Sequence, residues 1–163
     1  MEQPLDIRIR EVMPADAARL GEFFKANATA TTLRHFSPFR LDEATARQIA
    51  LEPRRDVYFA ALLGESFVGL SLLRGWDEGF DIPSFGMVID ERLRGKGVGR
   101  RLMEWTLGAA KQKGCSHVRL SVNASNLRGV RLYESLGFVR QSEQPIVVEG
   151  ESDSKVIMIK EIN

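Results

Sequence analysis

A glycine-rich, basic segment between an apolar strand pattern and an amphipathic helix constrains this chain more than any other feature. Its members are Arg94, Gly95, Lys96, Gly97, Val98, Gly99, Arg100 and Arg101. Glycines at alternate positions let backbone amides approach a ligand closely and permit positive φ angles. The first N–H groups of a helix lack intrahelical partners and carry the positive end of the helix dipole. The segment therefore predicts an anion-binding site.

The residues on either side of this segment predict a strand, a helix and a second strand. Phe85–Ile89 is a short apolar run, and Val98–Lys113 has helical periodicity up to Gly114, a residue typical of a helix end. The apolar stripe of that helix is predicted to consist of Val98, Leu102, Trp105 and Ala109. The second strand is marked by the alternating residues Val118, Leu120 and Val122. Such a connection joins parallel strands through a right-handed crossover.

The rest of the chain alternates between strand and helix patterns, without a linker or an internal repeat. Further strands are predicted at Leu5–Arg10, Val57–Leu63, Phe67–Leu73, from Phe138 onward and at Val156–Ile159. Further helices are predicted from Pro14, from the N-cap Asp42 to about Leu51, and over Asn126–Leu136. The Thr-rich stretch Asn27–Phe39 is assigned to a loop or a short helix. We expect one α/β (α+β) domain over residues 1–163, with a mostly antiparallel sheet of about seven strands and about four helices.

Composition limits the functions that this chain can have. A net charge of +1 over 163 residues gives no global attraction for nucleic acid or a membrane surface. One cysteine, Cys115, and two histidines exclude a disulfide framework and predict no metal centre. No apolar run approaches the roughly 18 residues of a membrane span, and the N-terminus is unlike a signal peptide. We expect a cytoplasmic protein that has neither nucleic acid nor a membrane as its partner.

Two common glycine motifs do not fit the basic segment. The P-loop pattern, Gly-x-x-x-x-Gly-Lys-Ser/Thr, is absent, and the dinucleotide-binding pattern requires Gly or Ala where Leu102 stands. Arg94-x-x-Gly97-x-Gly99 instead resembles the Arg/Gln-x-x-Gly-x-Gly/Ala signature of the GNAT superfamily of N-acetyltransferases.

A second segment strengthens this resemblance. Asn126–Phe138, which contains Leu132-Tyr133 and ends in Gly137-Phe138, is similar to the family element Asn…Leu-Tyr-x-x-x-Gly-Phe. One helix and one strand separate the two signatures, as in that family. The resemblance covers Phe85–Phe138 closely, and the remainder of the chain fits in its order of elements.

The resemblance implies that acetyl-CoA lies in a cleft where two central strands splay apart. In the family, the pantetheine arm pairs with the strand before the glycine loop, which here ends in Met87, Val88 and Ile89. The pyrophosphate lies on the loop amides, which here run from Gly95 to Arg100. Asn126 matches a residue that contacts the cofactor, and it also fits a helix N-cap; the two roles are compatible.

Acetyl transfer to an amine sets three chemical requirements. A lysine-like amine has a pKa of ~10.4, so a base or a desolvating pocket must remove its proton. The oxyanion requires a directed N–H, for which the resemblance implies the Val88–Ile89 backbone. Tyr133 matches the family tyrosine near the sulfur, although it also fits a core aromatic. A phenol pKa of ~10 against ~8.5 for a thiol makes protonation of the thiolate uphill by roughly 2 kcal/mol, which favours hydrogen bonding to sulfur.

The sequence departs from the family pattern at three positions. Glu91 stands where many members have Pro. Gly129 replaces the usual Ala, at up to about 1 kcal/mol in a helix, and gives room for the cofactor or a neighbouring strand. Ser121 stands where some relatives place a glutamate base, so the base must be water or another residue. The candidates are Asp77, Glu78, Asp81 and His35, of which we predict Glu78.

Two loops supply the residues predicted to bind the acceptor. These are His35, Phe36, Trp76 and Asp77, for which core packing or a solvated acidic turn is the structural alternative. We expect an acetyl-CoA-dependent N-acetyltransferase acting by direct transfer on a primary amine of a small polar acceptor. Arg74–Gly86 resembles family members associated with surface-sugar synthesis, so the acceptor class includes amino sugars and nucleotide-linked amino sugars. The alternatives are a protein or peptide N-acetyltransferase, a non-catalytic acyl-CoA-binding module, and a structural domain with an incidental glycine turn; a homodimer is compatible with each.

Overall fold

The computed structural model describes residues 3–36 and 38–163. Its strands are β1 (Ile7–Glu11), β2 (Val57–Leu63), β3 (Ser66–Arg74), β4 (Ser84–Ile89), β5 (His117–Asn123), β6 (Val139–Val148) and β7 (Glu151–Glu161). Its α-helices are α1 (Ala17–Asn27), α2 (Ala30–His35), α3 (Glu43–Leu51), α4 (Val98–Gln112) and α5 (Leu127–Ser135). The prediction of seven strands is confirmed. The described residues form five α-helices rather than four, because part of the Thr-rich stretch is helical and Thr29 caps it by accepting from Thr32 N.

The strands form one mixed sheet in the order β1-β2-β3-β4-β5-β7-β6. Neighbours are antiparallel except β4 and β5, which are parallel and are connected through α4. The predicted strand–helix–strand unit and the mostly antiparallel sheet are therefore confirmed. Among the described residues, β4 and β5 pair at one position, Ser84 with Arg119, so the two strands separate beyond it. None of the helices in the described part of the chain is long and apolar enough to cross a membrane.

A hydrophobic core lies on each face of the sheet. The first packs α4 and α5 against one face, and the second packs α1 and α3 against the other. The nearly continuous apolar run Val57–Leu63 is typical of a central strand, but β2 is second from the edge of the sheet. It is apolar throughout because both layers cover it: Phe59 lies in the first core and Tyr58 in the second.

The buried stripe of α4 differs from the predicted one. Val98 and Leu102 are buried as expected, but Trp105 is 48% exposed and the stripe continues through Thr106, which is fully buried. The reason is a polar contact, since Thr106 Oγ1 lies 2.7 Å from Ser71 Oγ on β3 and donates to Leu102 O at 2.6 Å. A buried hydroxyl that is hydrogen-bonded is tolerated in a core. Hydrophobicity alone therefore placed the stripe about one residue away from its true position.

The entry to α1 is held by a buried carboxylate. Asp16 is 3% exposed and accepts from Arg10 Nη1 and Nη2 at 2.7 and 2.9 Å and from Met13 N at 2.7 Å. The hydrogen bond from Arg10 is the main cause that lowers the pKa of Asp16 below its ordinary value. The stabilisation is therefore present above the unfolded-state pKa and is lost as the pH falls through the folded-state pKa.

We expect Asp16→Asn to lower the free energy of unfolding by about 1–3 kcal/mol at pH 7, because it leaves buried donors poorly paired. The difference from wild type should shrink as the pH falls below about 4. Urea unfolding at several pH values measures this, with Asp6→Asn as the exposed control. A difference that stays constant down to pH 2 contradicts the role assigned to the Asp16 carboxylate.

Candidate functional site

The unpaired edge of β4 is the starting point of the site. Asp90 N donates to Val68 O at 2.9 Å, and Arg119 N donates to Pro83 O at 3.0 Å. Successive strand residues direct their backbone groups to opposite edges. The backbone groups of Met87 and Ile89 therefore face β5, in the region where β5 has moved away. The backbone of Val88 faces β3 and is paired with Leu70.

The side chains of these three residues divide between the two cores. Val88 is 4% exposed and belongs to the core under α1 and α3. Met87 and Ile89 are half-buried and pack on the other core. The side chains of this strand pack in the cores while one backbone edge stays open, so core packing is compatible with the predicted cofactor contact, which stays a prediction. Of the two amides predicted for the oxyanion, that of Ile89 faces the cleft.

The glycine-rich loop follows β4 and ends at the N-terminus of α4. Gly95 and Gly97 have φ values of 78° and 87°, a conformation that L side chains adopt only under strain. Gly97 is the residue before the helix, and the first helical bond runs from Arg101 N to Gly97 O at 3.2 Å. The N–H groups of Val98, Gly99 and Arg100 precede that bond and point out of the helix end. They form the amide row that the sequence predicts for an anion.

Gly99 contributes to the site in a different way. A Cβ at this position would lie 3.2 Å from Met87 Cε, closer than most real Cβ contacts. The absence of a side chain lets the first turn of α4 approach β4. The loop amides and the open edge of β4 are thereby brought into one cleft.

The basic residues of the segment differ in what they contact. Arg94 donates to Thr32 Oγ1 at 2.7 Å, and Arg101 donates to Leu5 O and Ile7 O at 3.0 and 2.8 Å, so these two cations hold α2 and β1. Arg100 is exposed and donates to Ser135 Oγ at 2.9 Å on α5. Lys96 is exposed on the loop. The local positive charge is therefore real, although part of it has structural partners.

Arg128 adds a cation that the sequence reasoning did not assign. Its Nη1 lies 3.5 Å from the point that a Cβ on Gly95 would occupy, so the guanidinium of α5 lies beside the glycine loop. The sequence feature that could have pointed to Arg128 is its position in the second motif, two residues after Asn126. That position alone does not reveal that the motif folds against the loop.

Asn126 caps α5, as its structural reading predicts. Its Oδ1 accepts from Gly129 N at 3.1 Å. A Cβ on Gly129 would lie 2.7 Å from Asn126 Nδ2, so the missing methyl group makes room for the capping side chain rather than for another strand. The cofactor contact of Asn126 stays a prediction.

Tyr133 lies in an apolar setting next to the separated strands. Its ring is 6.2 Å from those of Phe85 and Phe138, at steep angles. Burial raises its pKa to about 12. Its hydroxyl makes no hydrogen bond with any described residue, so it is available as a donor at neutral pH.

A cavity of about 390 Å³ opens at the point where β4 and β5 part. Its lining includes Ser84 and Phe85 of β4, and Arg119, Leu120 and Ser121 of β5. Phe85 also contacts Tyr133, which connects the cavity to the tyrosine. Glu78 lies on the lining, 3.9 Å from the guanidinium of Arg74. It is the one carboxylate among the described lining residues.

Helix α2 lies across the far end of the split. Asn123 Nδ2 of β5 donates to Arg34 O at 3.0 Å, and Glu91, just after β4, accepts from the hydroxyls of Thr29 and Thr32. Glu91 N also donates to Asn27 Oδ1 at 3.0 Å. Glu91 therefore does in this chain what a proline cannot, because it connects the α1–α2 segment to the start of the glycine loop.

The predicted acceptor residues do not converge. His35 of α2 is half-buried; its Nδ1 has no partner in the described chain, and desolvation lowers its pKa, so the ring is neutral at pH 7. Phe36 is 7% exposed and packs on Phe39 in the second core. It therefore forms core rather than an open acceptor wall.

Neighbouring side chains of the acidic turn have different surroundings. Asp77 accepts from Arg55 N and Asp56 N at 2.8 and 3.2 Å, which lowers its pKa and holds the turn against the start of β2. Trp76 lines a different cavity, of about 280 Å³, beside Cys115. Of Trp76, Asp77 and Glu78, only Glu78 lines the cavity at the split. The geometry therefore gives no support to acceptor roles for Trp76 and Asp77. Cys115 is half-buried and packs on the first core.

Sequence comparison assigns the chain to a family. The sequence model of the acetyltransferase (GNAT) family matches residues 23–138, which is more than half of the chain. The chain belongs to the GNAT family. The predicted resemblance is therefore confirmed, and it extends from α1 to the second motif.

Individual relatives cover smaller parts of the chain. N-acetylaspartate synthetase of Rattus norvegicus is 32% identical over 97 residues, 60% of this chain and 32% of that protein. The [ribosomal protein bS18]-alanine N-acetyltransferase of Escherichia coli (strain K12) is 30% identical over 79 residues, 46% of this chain and 53% of that protein. The chain thus spans about a third of the length of the first relative and about half of the second.

Solved GNAT structures share the whole fold. An acetyltransferase of the GNAT family from Streptococcus pneumoniae superposes with a TM-score of 0.79 at 23% identity, over 97% of this chain and 100% of that one. The structure of yncA from Salmonella typhimurium, solved with its cofactor acetyl-CoA, gives 0.79 at 20% identity over 96% and 94%. At these identities the likeness shows the fold alone.

We expect Glu91→Ala to loosen α2, because it removes the shared acceptor of Thr29 and Thr32 and a partner 3.7 Å from Arg94. A six-residue helix has little stability of its own. Amide hydrogen exchange in α2 should accelerate by about tenfold, with β5 unchanged.

Arg92→Gln is the matched control, since Arg92 lies on the same turn, its side chain is 86% exposed, and among the described residues that side chain binds Asp90 alone. Unchanged protection of α2 in Glu91→Ala, or an equal loss in the control, contradicts the connection through Glu91.

Proposed function

We propose that this protein is an acetyl-CoA-dependent N-acetyltransferase that transfers the acetyl group directly to a primary amine of a small polar acceptor. The observation that carries the proposal is the single pairing of β4 with β5. It leaves an open backbone edge, a row of loop amides and a cavity in one place. Family membership makes acetyl transfer the chemistry that fits this arrangement.

The residues present fit acetyl-CoA. The N–H groups at the start of α4 and the guanidinium of Arg128 suit a pyrophosphate, which is bound well at helix N-termini. The edge of Met87 and Ile89 offers backbone donors and acceptors to an amide-containing arm. The bound thioester supplies an activated acetyl group. Ile89 N is the donor that faces the cleft and is assigned to the oxyanion.

Tyr133 acts as a hydrogen-bond donor in this proposal. With a pKa of about 12, it lies about 3.5 units above an ordinary thiol, so full proton transfer to a thiolate is uphill by about 5 kcal/mol. Burial of Tyr133 therefore raises the cost of proton transfer above the roughly 2 kcal/mol that ordinary phenol and thiol pKa values predict. The role of the hydroxyl is to stabilise charge on the departing sulfur while it retains its proton.

Glu78 is assigned to the acceptor amine. It lines the cavity that reaches the split, whereas Asp77 is turned toward Arg55. An ammonium group beside Glu78 can lose its proton to the carboxylate directly or through water. His35 is the second base candidate, because its unpartnered Nδ1 is neutral at pH 7.

Ligand binding and turnover test the proposal in two steps. Acetyl-CoA at 100 times its Kd should add ~2.7 kcal/mol to the free energy of unfolding. Gly97→Ala should weaken this effect, because φ of 87° at Gly97 strains an L residue by roughly 1–2 kcal/mol, whereas the exposed helical glycine in Gly108→Ala is the control.

Thiol release from acetyl-CoA with a panel of amines then separates the alternatives. Binding without turnover on any amine supports an acyl-CoA-binding module. Turnover on a peptide with an N-terminal alanine, and not on small amines, supports the protein acetyltransferase to which the similarity with the Escherichia coli enzyme points. No stabilisation by acetyl-CoA contradicts both ligand-binding functions.

We expect Tyr133→Phe to lower kcat by about 100-fold with little change in the KM for acetyl-CoA. Because the pKa of Tyr133 is about 12, wild-type activity should show no loss from its ionisation below about pH 11. Tyr58→Phe, a buried core tyrosine, is the control. Full kcat of Tyr133→Phe at saturating substrates across the pH range contradicts the assignment.

A further inference from the structure

One face of the sheet is only half covered by helices. The core under α1 and α3 contains side chains of β2, β3 and β4, and within the described residues it contains none from β5, β6 or β7. On the same face, β5 presents Arg119 and Ser121, both exposed, while the alternate residues of this strand are buried under α4 and α5. This open part of the face adjoins the cavity at the split.

Cations surround the cavity on this face. Arg74, Ser84 and Arg119 form one row across β3, β4 and β5, because Ser84 pairs with both arginines. Strands are about 4.8 Å apart, so the Cα atoms of the two arginines are separated by roughly 10 Å, with a small serine between them. Lys155 of β7 also lines the cavity, opposite Asn123 of β5.

Two of these cations have no counter-charge. Arg74 lies 3.9 Å from Glu78 and donates to Pro38 O at 2.7 Å. The side chains of Arg119 and Lys155 make no hydrogen bond or ion pair with any other described residue. Asp153, the acid nearest to Lys155 along β7, accepts a hydrogen bond from Ser125 Oγ at 2.5 Å. The described lining therefore carries three cations and one carboxylate.

The floor between the cations is built from small residues. Ser84 and Ser121 line the cavity beside Arg119. The space above Gly86 is filled instead by Leu72 and Pro38, whose side-chain carbons lie 3.3 Å from the point that a Cβ would occupy. A molecule held by Arg119 and Lys155 thus lies in the same cavity as Ser84, next to the point where β4 and β5 part.

We infer that the acceptor is an anionic amine, a primary amine that also carries a carboxylate or a phosphate group, with the anion held between Arg119 and Lys155. This inference rests on the proposed function. Cationic side chains bind both groups by charge-assisted hydrogen bonds. The amine is then directed toward Glu78 and the split. An acceptor with several positive charges is disfavoured by the same lining.

Matched pairs of amines test the inference. The pairs are glycine with glycinamide, ethanolamine phosphate with ethanolamine, and glucosamine 6-phosphate with glucosamine. The anionic member of a pair should have a kcat/KM at least about tenfold higher. The first pair reports on carboxylate and the other two on phosphate. Equal rates within every pair, or a preference for the member without an anionic group, overturn the inference.

Substitutions at Arg119 and Lys155 test whether these side chains bind the anionic group of the acceptor. Arg119→Gln and Lys155→Gln should each lower kcat/KM for the preferred anionic amine by about tenfold. The kcat/KM for the paired amine without the anionic group should not change. Arg47→Gln, which removes an exposed cation from α3 away from the cavity, is the control. An equal loss for both members of a pair indicates a structural role and overturns the assignment of Arg119 and Lys155.

A binding measurement distinguishes failure of the inference from failure of the proposed function. Calorimetry with protein saturated with CoA, which has no acetyl group to transfer and fills the loop site, measures acceptor binding alone. Anionic amines that bind in an Arg119-dependent manner but are not acetylated support the anion site and contradict the enzyme function. Acetylation of amines without an anionic group, without binding of the anionic ones, supports the enzyme function and overturns the inference.

Discussion

The interrupted ladder between β4 and β5 is the constraint on which the site depends. A strand edge left without partners is costly, because buried backbone N–H and C=O groups need hydrogen bonds. β4 tolerates it because its other edge is paired with β3 from Ser84 to Ile89. Its faces are also fixed, by Phe85 in one core and Val88 in the other. The open edge is therefore held rigidly, ready to pair with a ligand that brings its own amides.

The segment from α1 to α2 joins the two sides of this opening. Asn27 and the two threonines of the cap region bind Glu91 after β4, and Arg34 O binds Asn123 at the end of β5. Arg94, the first residue of the glycine motif, belongs to the same hydrogen-bond network through Thr32. The segment beside the split and the glycine-rich loop thus share one set of polar contacts. Glu91 makes this possible, because a proline in its place would have neither the N–H nor the carboxylate that form these hydrogen bonds.

Local patterns predicted most of the fold and the geometry of the glycine-rich loop. The strand, glycine loop and helix around Arg94–Arg101, and the cap of α5, follow from residue spacing over short stretches. The features that sequence missed depend on distant partners. Thr106 is buried because Ser71 meets it from β3, and Arg128 reaches Gly95 only because α5 packs beside the loop. Asp77 and Glu78 are neighbours in sequence, yet Asp77 accepts from the backbone before β2 whereas Glu78 lines the cavity at the split.

The two ends of the site use opposite electrostatic environments. The tyrosine end is apolar, with Tyr133 between Phe85 and Phe138, and burial raises the pKa of the phenol to about 12. The same desolvation disfavours any anion formed beside it, so the pKa of a thiol in that place rises as well. A phenol with a pKa of about 12 is neutral at pH 7 and keeps its proton.

The cavity at the split is solvated and cationic, so a carboxylate or phosphate bound there, as we propose for the acceptor, would keep its charge. A near-neutral chain can produce both environments because the charges of Arg74, Arg119 and Lys155 are collected on one uncovered face of the sheet. A net charge of +1 consequently says little about the local field that a substrate meets.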